Sequence, residues 1–371
     1  EASAALTRLI AADIAQAGGQ ISFARFMELA LYAPRLGYYT GGSAKLGTAG
    51  DFVTAPELSP LFGATLAHVA AGFMEQSAPH LMEFGAGTGR LALDVLTEAQ
   101  RSGIAVASYT IVELSGELRA RQQALLQDFP QVRWLDSLPP SFEGVVLGNE
   151  VLDAMPVHLV RKSAAGWREL AVTSADGRFA YAERALDDNL SAQLRRQVPD
   201  ADSLPEGYTT ELHPVAAAYM ASLAGMLRAG RGAALLVDYG FPAHEYYVPA
   251  RVGGTLMCHY RHHAHPDPFF LPGLQDLTAH VDFTAMALAA QHAGLDVLGY
   301  MSQAAFLIAA GIGELLLRTD PQDGKAFLPQ SNAVQKLVSP AEMGELFKVL
   351  ILGRGVTLPE PLARADRSHR L

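Results

Sequence analysis

The segment His80-Leu81-Met82-Glu83-Phe84-Gly85-Ala86-Gly87-Thr88-Gly89-Arg90 constrains the fold of this chain more than any other. It is a short apolar run that ends in an acid and three alternating glycines, and it leads at once into a helix-like stretch, Leu91 to Ala99. Glycine has no Cβ, so alternating glycines let the backbone turn tightly and come close to a ligand. Strand, tight turn and helix in that order predict a nucleotide-type pocket. The spacing E-x-G-x-G-x-G departs from the G-x-G-x-x-G of pyrophosphate-binding dinucleotide folds, which disfavours an NAD-dependent oxidoreductase. An acid ahead of the glycines would repel a pyrophosphate and suits a cationic ligand. The alternative is a glycine-rich turn with no ligand at all.

At 371 residues the chain exceeds a typical domain of about 100 to 200, so one elaborated domain or two packed units are expected. Hydrophobic residues make up 50% and charged ones 18%, a globular composition. The most apolar stretch, Phe283 to Leu317, is interrupted by Gln291, His292, Asp296 and Gln303, so no membrane span is expected. With 28 Lys plus Arg against 38 Asp plus Glu the formal charge is −10. That sign opposes binding to a phosphate backbone and favours a basic protein segment, so a nucleic-acid partner is not expected. The single cysteine, Cys258, excludes an intramolecular disulfide and fits a reducing compartment, and it reads as a small buried hydrophobe. Glu1 to Gln16 resembles an amphipathic helix rather than a signal peptide, although a segment removed ahead of it stays open. A bacterial cytoplasmic protein is the expectation, and the oligomeric state is undetermined.

Strands alternating with helices predict an α/β fold with a mostly parallel sheet. The strands are read at His80 to Phe84, Ser108 to Val112, Val132 to Leu135, Gly144 to Leu147, Arg231 to Val237, Asp296 to Tyr300 and Phe347 to Leu352. Residues 1–77 are taken as a helical segment with a Gly/Pro-rich loop, and 78–371 as the main domain. That domain carries two insertions. The first, about 161–211, contains a hairpin-like part, Trp167 to Ala182 around Ala175-Asp176-Gly177, and then a polar loop through Pro199 and Pro205. The second, about 241–280, is rich in Pro, Gly, His and aromatics without strand or helix periodicity, and a loop so long is usually functional or mobile.

In open α/β sheets ligands bind beyond the carboxyl ends of the strands, where the strand order reverses. Those ends carry Glu83, Glu113, Asp136, Asn149 with Glu150, and Asp238. Glu83 with Gly85, Gly87 and Gly89 would hold the amino-acid end of a cationic nucleotide such as S-adenosylmethionine, which bears an ammonium and a sulfonium. Glu113, about 20 residues beyond the glycines, is placed to accept from both ribose hydroxyls. Asp136 would face the adenine edge. Glu150, next to Asn149, is the sharper catalytic candidate: a guanidinium acceptor stays cationic, and carboxylates hold it by bidentate pairing. Asp153, Glu57 and Asp51 are further acids for such a clamp, with a helix N-cap for Asp153 and a first-turn dipole partner for Glu57 as structural alternatives. His259, His262, His263 and His265 crowd one loop with Cys258 and Asp267, but a single thiol and this spacing do not predict a metal site.

The chain resembles the MidA family of class I methyltransferases. The resemblance covers Phe26 to Gly355 and rests on GYYT at Gly37 to Thr40, GDFVTAPELSPLFG at Gly50 to Gly63, EFGAGTGRLALDVL at Glu83 to Leu96 and NEVLDAMPV at Asn149 to Val157. LLVDYGF at Leu235 to Phe241, EYYVPARVGGTLMCHYRHH at Glu245 to His263 and QDLTAHVDF at Gln275 to Phe283 extend it. Only the glycine motif is shared with unrelated methyltransferases. The resemblance implies a seven-stranded Rossmann-like core, S-adenosylmethionine as donor lined by Gly85, Gly87 and Gly89, and, from a mitochondrial complex I assembly factor in the family, arginine methylation of a respiratory complex I subunit. A small-molecule methyltransferase and a non-enzymatic assembly chaperone that binds the donor are the competing readings.

Overall fold

The computed structural model describes residues 2–41, 53–175, 177–261 and 263–371. The chain divides into two compact units, each assembled from three stretches of sequence: Glu1–Phe52, Leu152–Tyr219 and Phe241–Met286 in the first, Val53–Val151, Met220–Gly240 and Ala287–Leu371 in the second. The passage between them falls at residue 53, not at 77, because the apolar helix Pro60–Met74 packs with the helix Arg90–Ser102 of the second unit. Gly63 makes that contact close: a Cβ there would lie 2.6 Å from Asp94 Cβ.

The second unit is built on one mixed sheet. Seven strands form its path in the order Asp296–Ser302, Phe347–Arg354, Gly232–Phe241, Gly144–Asn149, His80–Phe84, Ser108–Val112 and Val132–Leu135. Neighbours from Gly232–Phe241 to Val132–Leu135 are parallel, and Phe347–Arg354 runs antiparallel to both strands beside it. A parallel strand covered on both faces loses its polar alternation. Gly144–Asn149 is buried at every position for this reason. Leu81, Tyr109, Ile111, Val145, Leu147, Leu235 and Val349 meet Phe62, Leu66, Phe73, Leu91 and Val95 of the helices in one core. Each such aliphatic or phenyl side chain, fully buried, contributes roughly 1.5 to 3 kcal/mol.

The first unit holds the stretches 161–211 and 241–280 together with the helices Ala2–Gln16 and Phe23–Tyr32. The hairpin is present and longer than read: Gly166–Ala175 pairs with Arg178–Ala185, Ala175 opposite Arg178. It belongs to an antiparallel five-stranded sheet with Gln20–Ser22, His158–Ser163 and Thr209–Leu212. The stretch read as a polar loop instead forms the helix Asp188–Gln197, started by the Asp187 side chain, which accepts from Leu190 N–H. The second insertion is not an unstructured loop either. Met257–Tyr260 is the centre of a three-stranded antiparallel sheet with His263–His265 and Asp276–Thr278, strands too short to print a period.

Buried polar groups stitch this unit. Glu211, fully buried, accepts from Thr255 N–H at 2.7 Å, Leu256 N–H at 2.9 Å and Tyr246 OH at 2.8 Å. Asp282 accepts from Tyr247 OH at 2.8 Å and caps Ala285 N–H at 3.0 Å, and burial pushes its carboxyl up to about 6.

Candidate active site

The strand order of the second unit reverses beside His80–Phe84. The next two strands in sequence lie on one side of it, and Gly144–Asn149 followed by Gly232–Phe241 lies on the other. Ligands bind at such a point, beyond the strand ends. The glycines stand there in left-handed conformation, at φ 64° for Gly85, 53° for Gly87 and 88° for Gly89, which heads the helix Arg90–Ser102. A Cβ would be strained at all three and at Gly85 would also press to 3.0 Å on Val151.

Glu83 lies beneath this turn, 2% exposed, accepting from Tyr109 OH at 2.6 Å. Burial, aided by the charge of Glu113, pushes its carboxyl up to about 7, against the opposing hydrogen bond from Tyr109. Glu113 ends the next strand, and Gln122 ties it to the turn. The Gln122 amide donates to Glu113 Oε2 at 3.0 Å and to Gly87 O at 2.9 Å, while its oxygen accepts from Trp134 Nε1 at 2.9 Å. Ser115 N–H donates to Glu113 Oε1 at 2.8 Å. Asp136 is solvent-facing and ion-paired with Arg119, whose guanidinium also donates to Glu113 O at 3.0 Å. Glu57 accepts from Thr88 Oγ1 at 2.5 Å, which joins it to the glycine turn.

Glu150 follows its strand in a left-handed conformation, φ 54°, with its N–H donating to Val237 O at 2.8 Å. A non-glycine residue there carries strain of about 1 to 2 kcal/mol, held by its surroundings. Asp238 supplies that hold: its Oδ2 accepts from Val151 N–H at 3.1 Å and its Oδ1 from Tyr239 N–H at 3.0 Å. Asn149 Nδ2 donates to Glu150 Oε1 at 3.1 Å, and Asn149 Oδ1 is buried with no hydrogen-bond partner among the described residues. An orphaned buried acceptor, a second buried acid and a turn that excludes side chains fit a ligand with cationic and hydroxyl donors.

Residues 64–301 match the family described as "Putative S-adenosyl-L-methionine-dependent methyltransferase". The chain belongs to this family. This methyltransferase uses S-adenosylmethionine, and the crystal structure of a protein from Burkholderia thailandensis bound to S-adenosyl-homocysteine is 53% identical to it, with a TM-score of 0.93 over 100% of this chain and 97% of that one. Protein arginine methyltransferase NDUFAF7, mitochondrial, from Danio rerio is 30% identical over 90% of this chain and 83% of its own length. The Caenorhabditis elegans homolog is 30% identical over 82% and 76% respectively.

Asp153 belongs to the first unit, 5% exposed, in a turn rather than at a helix start, and its carbonyl accepts from Ala279 N–H at 2.9 Å. Nearby Tyr39 donates to Asp276 Oδ1 at 3.0 Å and stacks on Tyr32 at 5.6 Å; burial, then the charges of Asp276 and Asp153, push the Tyr39 hydroxyl well above its usual range. Asp51 lies outside the described residues, as does His262. No group of three or more His, Cys, Asp or Glu among the described residues is arranged for a metal ion, and none of the described helices is long and apolar enough to cross a membrane. Cys258 is buried, with its thiol pushed up to about 12 by desolvation, and it packs as a small hydrophobe. Sequence reading missed Tyr109, Gln122 and Thr88. The last sits inside the motif; the other two carry no local signal, since strand pairing and a helix face bring them to the turn.

Proposed function

We propose that this methyltransferase modifies an arginine of a protein substrate and that Glu150 holds the acceptor guanidinium. The observation that carries the reading is Glu150 itself: an acid in a strained backbone conformation at the end of a buried strand, its own N–H bonded to Val237 O and the next N–H, of Val151, to Asp238. The relatives named protein arginine methyltransferases support the acceptor class. Glu83, Gly85, Gly87, Gly89, Glu113 and Asn149 are assigned to the donor, with Asp136 at the outer rim and Glu57 on the glycine turn through Thr88. The bound donor supplies a sulfonium methyl: the new N–C bond forms from the guanidine nitrogen's lone pair as the C–S bond breaks with its pair going to sulfur, and the nitrogen gives up one proton to water. Positioning supplies most of the acceleration, since effective molarity is worth up to about 7 to 11 kcal/mol, so no strong base is needed. Asp153 and Asp51 are assigned as supporting acids. A respiratory complex I subunit is one proposed target, and a cytoplasmic bacterial setting goes with it.

The test is to incubate the protein with methyl-labelled donor and a lysate of its source cells and to locate the label by mass spectrometry. Label on arginine is the expected result. Label on another residue or on a small molecule overturns the acceptor class, and no label supports the chaperone reading. Glu150→Gln should keep affinity for S-adenosylhomocysteine and lose transfer, because a neutral amide keeps the shape without the charge that pairs with the cation.

A further inference from the structure

Glu83, 2% exposed, finds its hydrogen-bond partner on the neighbouring strand of the second unit. Glu83 and Tyr109 project from neighbouring parallel strands and meet at 2.6 Å, with Tyr109 fully buried. Two titratable groups act on Glu83 among the described residues: Tyr109, which favours the anion, and Glu113 at the end of the same neighbouring strand, which opposes it. On its other side, in Gly144–Asn149, its register partner is the apolar Leu147. Burial and the charge of Glu83 push the Tyr109 hydroxyl well above its usual range, so it remains a donor at every physiological pH.

We propose that Tyr109 is a positioning residue for donor binding, aiming the Glu83 carboxylate at the cationic amino-acid end of the donor, and that binding expels a proton from Glu83. The neutral carboxyl, Glu83–COOH, becomes the carboxylate and its proton passes to solvent. Without ligand, burial favours the neutral form, and its midpoint lies at about 7. An ammonium brought against Glu83 reverses that preference, because an opposite charge favours the ionised form. Tyr109 then has a double effect: it fixes the carboxylate's direction and lowers the pH at which the carboxylate becomes available. The inference rests on the donor and is independent of the arginine acceptor.

The experiment is isothermal titration with S-adenosylhomocysteine between pH 6 and 7.5, in buffers of different ionisation enthalpy, on wild type, Tyr109→Phe and Glu83→Gln. Wild type should bind roughly eightfold more weakly at pH 6 than at 7.5 and release about half a proton per ligand at pH 7. Glu83→Gln should bind more weakly, with a flat profile and no such release. Tyr109→Phe loses the hydrogen bond that favours the anion, so its deficit against wild type should shrink as the pH is raised. A Tyr109→Phe deficit equal at every pH would reduce Tyr109 to packing and overturn its assigned role. Equal proton release by wild type and Glu83→Gln would remove Glu83 from the linkage. Absence of binding by the wild type at all pH values would overturn the donor assignment along with the inference.

Discussion

Two buried glutamates, one in each unit, have opposite surroundings. Glu211 in the first unit is fully buried and saturated, with two backbone N–H groups and a tyrosine hydroxyl on its oxygens. Glu83 in the second is almost as buried and accepts one hydrogen bond among the described residues, from Tyr109. A buried charge persists only when its hydrogen-bonding capacity is met. Glu211 is therefore a peg that fastens the Gly254 turn, where a Cβ would meet its oxygen at 2.4 Å, whereas Glu83 keeps capacity for a ligand. Burial alone does not distinguish a structural acid from a binding one; the inventory of donors does.

The largest effect is expected where the inventory is complete. Glu211→Gln turns an amide N–H₂ toward groups that themselves donate, and should lower stability by roughly 3 to 5 kcal/mol, read as an earlier urea midpoint. Glu83→Gln should do the reverse in the ligand-free protein. Its folded pKa of about 7 lies above the ordinary value of 4.5, so the stability conferred by the neutral form is complete below about pH 4.5 and lost as pH rises through 7. Calorimetry should find the variant more stable than wild type at pH 8, by on the order of 3 kcal/mol, and equal to it near pH 4.5. If Glu83→Gln destabilises at pH 8, the contrast between the two acids fails.

Glu113→Ala sharpens the same contrast on the ligand side. Losing a charged acceptor for the ribose hydroxyls costs about 1.5 to 3 kcal/mol, so affinity for S-adenosylhomocysteine should fall at least about tenfold. Tight NAD binding in place of the methyl donor would contradict that assignment. Gly177→Ala in the hairpin of the first unit marks the lower end. Gly177 has φ 74° and nothing within 4 Å of an added Cβ, so the change should cost about 1 kcal/mol of stability by thermal denaturation and leave donor affinity unchanged.

The same contrast governs how much was legible in the sequence. The strands His80–Phe84, Ser108–Val112 and Val132–Leu135 were readable to the residue, because short runs rich in apolar, aromatic and β-branched residues end at the glycine turn and at the acids Glu113 and Asp136. The glycine turn was readable because its backbone demands glycine. The first unit was less so. Its short strands Met257–Tyr260, His263–His265 and Asp276–Thr278 follow from pairing across the chain, and its helix Asp188–Gln197 follows a cap, Asp187, in a stretch whose flanking prolines suggested a loop. At the site, the acids at strand ends were visible from position alone. The side chains that hold their surroundings, Gln122 between Glu113 and Gly87 and Asp238 on the Val151 N–H that follows Glu150, depend on tertiary contacts that no spacing encodes.

The central claim is that the donor lies against the glycine turn of the second unit. It is tested most directly by titrating S-adenosylhomocysteine into wild type and Gly85→Val in parallel, with a thermal melt to establish that the variant is folded. Gly85 stands at φ 64° with Val151 3.0 Å from an added Cβ, so valine both strains the turn and fills the approach. The account predicts one site per chain in the wild type and an affinity at least roughly a hundredfold weaker in the folded variant. Equal affinity in the two proteins would contradict it and move the donor elsewhere.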